Sequence, residues 1–265
     1  MNWKKDIKNV AQEVFNNLGE GYKEEVYEEA LAHEFRIRKI SYDRQRNFEI
    51  LYKGYRVGDG IVDLIINPRW CNPANKEIVL EVKRGSKIQE SYKRQAQVYM
   101  ISLNIHNGAV LCFADEVLLE SVLKPEKVLE TAVVKPSRKN KKELEETISE
   151  CAKSVYEYFG KEFTYRDDRM AIFTAAIGVE LRLRKIHFTQ ASYDITYKSH
   201  KVSSYNFDFV FDKGQVAEVA FFEKEEKVAD IKDELEFTRK LLGLNKAYLI
   251  AFPKMERGQV KIDAV

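Results

Sequence analysis

Four stretches of this chain put polar, chemically capable side chains on apolar faces. In the segment 61–66 a strand alternates its side chains, so Ile61, Asp63 and Ile65 share one face, with the aspartate among core-like neighbours. In 78–83 the same alternation puts Val79, Glu81 and Lys83 together, with the acid and the amine side by side at a strand end. Over 22–38, read as a helix, Glu24 falls on the face of Tyr27, Leu31 and Phe35, whereas Glu25 and Glu29 do not. Over 88–102 Gln95 lies between Tyr92 and Tyr99 on the apolar stripe. A lone carboxylate is costly to bury, and three facing one core repel each other. A hard divalent cation such as Mg²⁺ resolves that repulsion through oxygen ligands. A blander arrangement is also open: a buried ion-pair cluster, with Lys83 on Glu81 and Gln95 as a satisfied core amide.

The elements that must position these groups can be read from periodicity. Trp3, Ile7, Val10, Val14 and Leu18 have helical spacing, and Gly19 and Gly21 separate that helix from the next. The second helix carries Val26, Ala30 and Ile37 on a further face, which predicts packing between two layers. A strand over 43–52, a turn at Lys53-Gly54 and a strand over 57–66 make a hairpin. A long turn with Pro68, Asn72 and Pro73 leads to a strand over 77–83, a helix over 88–102 and a strand over 108–113. The order α-α-β-β-β-α-β is that of a mixed α/β unit.

The pattern then recurs. AHEFRIRKI at 32–40 answers to GVELRLRKI at 178–186, Tyr52-Lys53 to Tyr197-Lys198, and VDLII at 62–66 to FDFVF at 207–211. IVLEVK at 78–83 answers to QVAEVA at 215–220, and LNIHNGAVLCF at 103–113 to LGLNKAYLIAF at 242–252. The reading is two units, 1–130 and 143–265, joined by a basic linker over 131–142. In the second unit Met170 replaces Glu24, Phe173 replaces Tyr27 and Ala220 replaces Lys83; Asp233 falls near the position of Gln95, while Asp208 and Glu218 persist.

Composition narrows the classes. Hydrophobic residues at 45% exclude a disordered chain, and no apolar run is long enough to cross a membrane as a helix. Three scattered cysteines, Cys71, Cys112 and Cys151, argue against a disulfide framework or a zinc site, and a reducing cytoplasm is the expected location. The net charge of +2 leaves no bulk electrostatic footprint for nucleic acid, so any such contact must be local. The four histidines lack ligand spacing, and the sequence has neither a nucleophile elbow nor a phosphate-binding loop.

GYKEEVY at 21–27, GIVD at 60–63, EVK at 81–83 and QAQVY at 95–99, in this order and on these elements, resemble the PD-(D/E)XK nuclease superfamily. More narrowly, the first unit resembles the GxxExxY protein family, with Tyr27-Glu28-Glu29-Ala30-Leu31, Arg44-Gln45 and Tyr52-Lys53-Gly54 adding to the likeness. The resemblance implies an α/β fold of two tandem restriction-endonuclease-like units, each a central mixed sheet flanked by helices. It implies a nuclease using Mg²⁺, with Mn²⁺ able to substitute, held by Asp63, Glu81, the Val82 carbonyl and Glu24. Lys83 then orients the attacking water or stabilises charge on the phosphorane. Gln95 positions Lys83 or a phosphate, and Tyr99 buttresses it or touches nucleic acid. Lys87, Lys93 and Arg94 are further candidate phosphate contacts. The implied partner is nucleic acid, DNA before RNA. The second unit becomes a non-catalytic partner within a monomer, as in an internal pseudo-dimer. The alternative from another class is a binding module, for nucleic acid or protein, that keeps the nuclease fold without its activity.

Overall fold

The computed structural model describes residues 3–67, 77–125, 143–160, 163, 168–254 and 259–265. The chain divides into two units, 1–130 and 131–265. The Pro68–Pro73 turn, Cys71 and the linker 131–142 lie outside the described residues.

In the first unit α1 (Trp3–Leu18) buries Ile7, Val10, Ala11 and Val14. Gly19 and Gly21, at φ 76° and 95°, adopt the left-handed backbone that turns the chain into α2 (Glu24–Ile37). α2 buries Tyr27, Leu31 and Phe35, and these pack with α1 and one sheet face into a continuous core. The expected second buried face of α2 is not formed, because Val26 and Ile37 are exposed. Their apolar character does not translate into a second layer, and α2 is a surface helix. β1 (Tyr42–Tyr52) and β2 (Tyr55–Ile66) form the hairpin, turning at Lys53 and Gly54 with φ 49° and 80°. β3 (Ile78–Arg84), α3 (Glu90–Ser102), β4 (Asn107–Phe113) and β5 (Val117–Leu123) complete the unit. The sheet runs β1-β2-β3-β4-β5, with β3 and β4 parallel around the α3 crossover and the other pairs antiparallel. β5 is an edge strand that the periodicity did not anticipate.

The second unit repeats the plan with α4 (Leu144–Phe159), α5 (Arg169–Leu183), β6 (Thr189–Tyr197), β7 (His200–Phe211), β8 (Gln215–Phe222), α6 (Glu226–Leu241), β9 (Lys246–Pro253) and β10 (Lys261–Ala264). Its sheet runs β10-β9-β8-β7-β6, again with the crossover pair β8 and β9 parallel. Helix ends match in detail. Ile40 N–H donates to Phe35 O and Ile186 N–H to Leu181 O, both at 2.9 Å. After α3, Leu103 N–H donates to Tyr99 O; after α6, Leu242 N–H donates to Thr238 O. That register sets Thr238 opposite Tyr99 and therefore Glu234, not Asp233, opposite Gln95. Helix α6 ends where α3 does but begins about one turn earlier, at Glu226.

Each unit is thus an α/β body with a five-stranded mixed sheet flanked by helices. No helix among the described residues is long and apolar enough to cross a membrane. Cys112 and Cys151 are buried, one in each unit, and form no disulfide among the described residues.

Candidate active site

The site sits at a fork in the sheet. β2 and β3 pair only over Leu64–Ile66 and Ile78–Leu80, then separate just where Asp63 and Glu81 stand. Beyond the fork the Val82 amide has lost its strand partner, and Asp63 Oδ2 accepts its proton at 2.8 Å. Glu81 follows on the opposite strand and is fully buried. Neither of its carboxylate oxygens receives a hydrogen bond of good geometry. Lys83, one side-chain repeat further on, brings its ammonium to 2.7 Å from Glu81 Oε1.

Helix α2 delivers the third carboxylate. Tyr27 O–H donates to Gly19 O at 2.8 Å, and the Tyr27 ring stacks on Phe113 of β4 at 4.1 Å. These contacts fix the start of the helix against the sheet, so the glycine turn, the glutamate and the tyrosine act as one device. Glu24 then places Oε1 3.3 Å from the Arg84 amide, whose proton it accepts, and Oε2 3.6 Å from Lys83 Nζ. The Val82 carbonyl accepts from the same ammonium at 3.2 Å. Lys83 Nζ is therefore the point on which Glu81, Glu24 and the Val82 carbonyl converge. Ile61, by contrast, is exposed, so the Asp63 face of β2 is core-like only on the Ile65 side.

Gln95 is held from behind. Its amide donates to Tyr99 O–H at 2.8 Å, and the Tyr99 ring meets Phe48 edge-on at 4.8 Å. Phe48 is paired across the hairpin with Gly60, where its ring comes within 2.4 Å of the place a Cβ would occupy. Only a glycine admits that ring, so Gly60 supports the aromatic stack behind Gln95. Tyr99 is buried, which suits a buttress. Lys87 is exposed just after β3, and Arg94 is half-buried on α3. Lys93 is occupied by two acids, Glu90 at 2.9 Å and Glu120 at 2.6 Å.

One residue escaped the sequence reading. Glu28, one helical turn after Glu24, is buried; Arg44 Nε lies 3.7 Å from it and Gln45 donates to it at 3.5 Å. Its charge acts on both Asp63 and Glu81. The i, i+4 step from Glu24 was the signal that could have found it.

The electrostatics follow from this crowding. Burial, then the Glu81 charge, push the Asp63 carboxyl well above its ordinary range, against the pull of Lys83 and the Val82 amide. Burial also raises Glu81, with Lys83 opposing and Glu24 and Glu28 adding to the rise. Burial alone would weaken the Lys83 ammonium, but Glu81, Asp63 and Glu24 outweigh it and hold the lysine charged above its usual value.

The donor set fits a hard cation. Glu81 is a fully buried carboxylate whose one close partner among the described residues is the Lys83 ammonium, and oxygens of Glu24 and Val82 turn to the same point. As placed, however, no three Asp, Glu, His or Cys side chains among the described residues form a metal-holding group, and Lys83 supplies the positive charge instead. The contacts of the ion-pair alternative, Lys83 on Glu81 and Gln95 bonded within the core, are both present.

A family model described as the PD-(D/E)XK nuclease superfamily matches residues 1–123 and again 142–262. The chain belongs to the PD-(D/E)XK nuclease superfamily. A search of curated proteins found no match. Among solved structures it is similar to the crystal structure of SSO0001, with 19% identity over 38% of this chain and a TM-score of 0.31. The match spans 50% of that protein's length.

Both PD-(D/E)XK units keep the fork. In the second, Asp208 Oδ2 accepts the Val219 amide at 2.7 Å, just as Asp63 accepts Val82. Glu218 follows, but Ala220 offers no ammonium and Met170 no carboxylate. Glu234 adds a negative charge where the first unit has neutral Gln95. Burial, then Asp208 and Glu234, push the Glu218 carboxyl up to about 7. Burial raises Asp208 as well, opposed by the Val219 amide and by Thr174.

Proposed function

We propose that the first unit is a metal-dependent nuclease that hydrolyses phosphodiester bonds in DNA, and that the second unit is its non-catalytic partner within the same chain. The observation that carries this reading is the convergence of Glu81, Glu24 and the Val82 carbonyl on the Lys83 ammonium, at the fork where Asp63 also stands. Asp63, Glu81 and the Val82 carbonyl hold Mg²⁺ or Mn²⁺, with Glu24 completing the shell directly or through water. The metal supplies Lewis acidity toward the phosphate and an acidified water. Asp63 and Glu81 fix the site's position on the forked sheet, and Lys83 places positive charge beside the phosphoryl oxygens as they gain negative charge. Gln95, braced by Tyr99, Phe48 and Gly60, presents a neutral amide toward the substrate phosphate. Exposed Lys87, with Arg94 behind it, meets the flanking backbone. Lys93 is a weaker candidate because two carboxylates already hold it.

The test is cleavage of single- and double-stranded DNA and RNA by the full chain with Mg²⁺, Mn²⁺ or EDTA. Metal-dependent cleavage of DNA that disappears in Lys83→Ala and Asp63→Asn supports the proposal. Retained cleavage in Lys83→Ala removes it. Nucleic-acid binding without cleavage under every metal condition points to the non-catalytic module instead.

A further inference from the structure

The ammonium of Lys83 occupies the place where the site's oxygens point. It lies 2.7 Å from Glu81 Oε1, 3.2 Å from the Val82 carbonyl and 3.6 Å from Glu24 Oε2. A divalent ion bound by the same oxygens needs distances of about 2.0–2.6 Å, so it and a lysine held at 2.7 Å from Glu81 exclude each other. Glu81 is fully buried, so its ionised form needs a cation beside it, and Lys83 is the one that the chain supplies. One position thus has two competing cations, one of them built into the chain.

The lysine also has somewhere to go. Tyr92, in the first turn of α3, presents its ring 5.8 Å from Lys83 Nζ, within the range of a cation–π contact. Tyr92 is half-buried, and its ring stands near the outer limit of that range while the ammonium still faces Glu81. A small rotation of the flexible lysine stem moves the ammonium from the carboxylate to the ring without taking it from the site.

We propose that Lys83 is a resident counter-ion that a divalent cation displaces, and that the Tyr92 ring is the positioning group that receives its ammonium. The proposal rests on the cation site proposed above. It makes the empty site self-neutralising, and it ties the arrival of the metal to the lysine's move into its working position. Tyr92 acts through Lys83 and not on the substrate.

The experiment uses the full chain and Mn²⁺ alone. Mn²⁺ affinity is measured by calorimetry for the wild type, Lys83→Met, Tyr92→Leu, Tyr92→Phe and the double variant Lys83→Met/Tyr92→Leu. Amine labelling of Lys83 is followed by mass spectrometry with and without Mn²⁺. In the wild type, labelling of Lys83 rises severalfold on saturation with Mn²⁺. Removing the competitor in Lys83→Met tightens Mn²⁺ by about tenfold, a coupling usual for two ligands that oppose each other. Tyr92→Leu weakens Mn²⁺ binding about two- to fivefold, the strength of a partly exposed cation–π contact, whereas Tyr92→Phe does not. In the Lys83→Met background Tyr92→Leu has no effect, because the pair is already broken. Mn²⁺ binding that leaves Lys83 labelling unchanged, or a Tyr92→Leu effect that persists without the lysine, overturns the inference and spares the metal site. Failure of both wild type and Lys83→Met to bind Mn²⁺ overturns the metal site itself.

Discussion

In the second unit the half-buried Glu218 lacks the lysine that its counterpart Glu81 keeps, and that lack should be measurable as stability. Burial together with Asp208 and Glu234 lifts Glu218 from 4.5 to about 7 in the folded state. A carboxyl raised on folding favours the native state below its unfolded pKa and ceases to do so as pH rises through the folded value. The stability associated with Glu218 is therefore present below about pH 4.5 and lost as pH rises through about 7, a change of no more than roughly 3–4 kcal/mol at about 1.36 kcal/mol per pH unit. Glu218→Gln removes the ionisation while keeping the shape. The variant should match the wild type near pH 5 and unfold at higher urea near pH 8. Cys151 and Cys112, buried in the two units, report each one separately through maleimide labelling quantified by mass spectrometry. Cys151 should become reactive at higher urea in the variant at pH 8, while Cys112 should not change. Ala220→Lys should act in the same direction by restoring the ammonium. Equal Cys151 midpoints for Glu218→Gln and wild type at pH 8 would refute the account of an uncompensated carboxylate.

Other expectations concern the first unit. Gly60→Ala drives a methyl into the Phe48 ring and should cost about 1–3 kcal/mol, read as earlier exposure of Cys112 in urea. Tyr27→Phe deletes the hydrogen bond to Gly19 and should cost about 1 kcal/mol by the same assay, with a larger proportional loss of cleavage because Glu24 is less firmly held. Asp63 and Glu81 are both raised, so a metal must displace protons from them. Mn²⁺ affinity should therefore rise with pH and binding should release protons, detectable as buffer-dependent heats in calorimetry.

Much of this arrangement is legible in the amino-acid order, because period and punctuation carry it. The alternation that pairs Glu81 with Lys83, the glycine turn before Glu24 and the Lys53-Gly54 hairpin are local signals, and each appears where the pattern puts it. What escapes is what tertiary context decides. β5 has a broken alternation of buried and exposed residues as an edge strand, so no clean period marks it. Val26 and Ile37 look like a second packing face, yet no layer arrives to cover them. The buried position of Glu28 depends on Arg44 and Gln45, which reach it from across the chain. The support from Gly60 through Phe48 and Tyr99 to Gln95 joins motifs that look independent in sequence.

The splayed strands have a further implication. Where two neighbours in a sheet part company, an amide is stranded, and a short acidic side chain one strand over is well placed to take it. Both units use an aspartate for this task, including the one that carries Ala220 where the other has Lys83. Such a residue has a scaffolding duty that can outlast the reaction. Its presence in both units is a record of architecture, and under the proposed function the amine two positions after the neighbouring glutamate is the more telling mark.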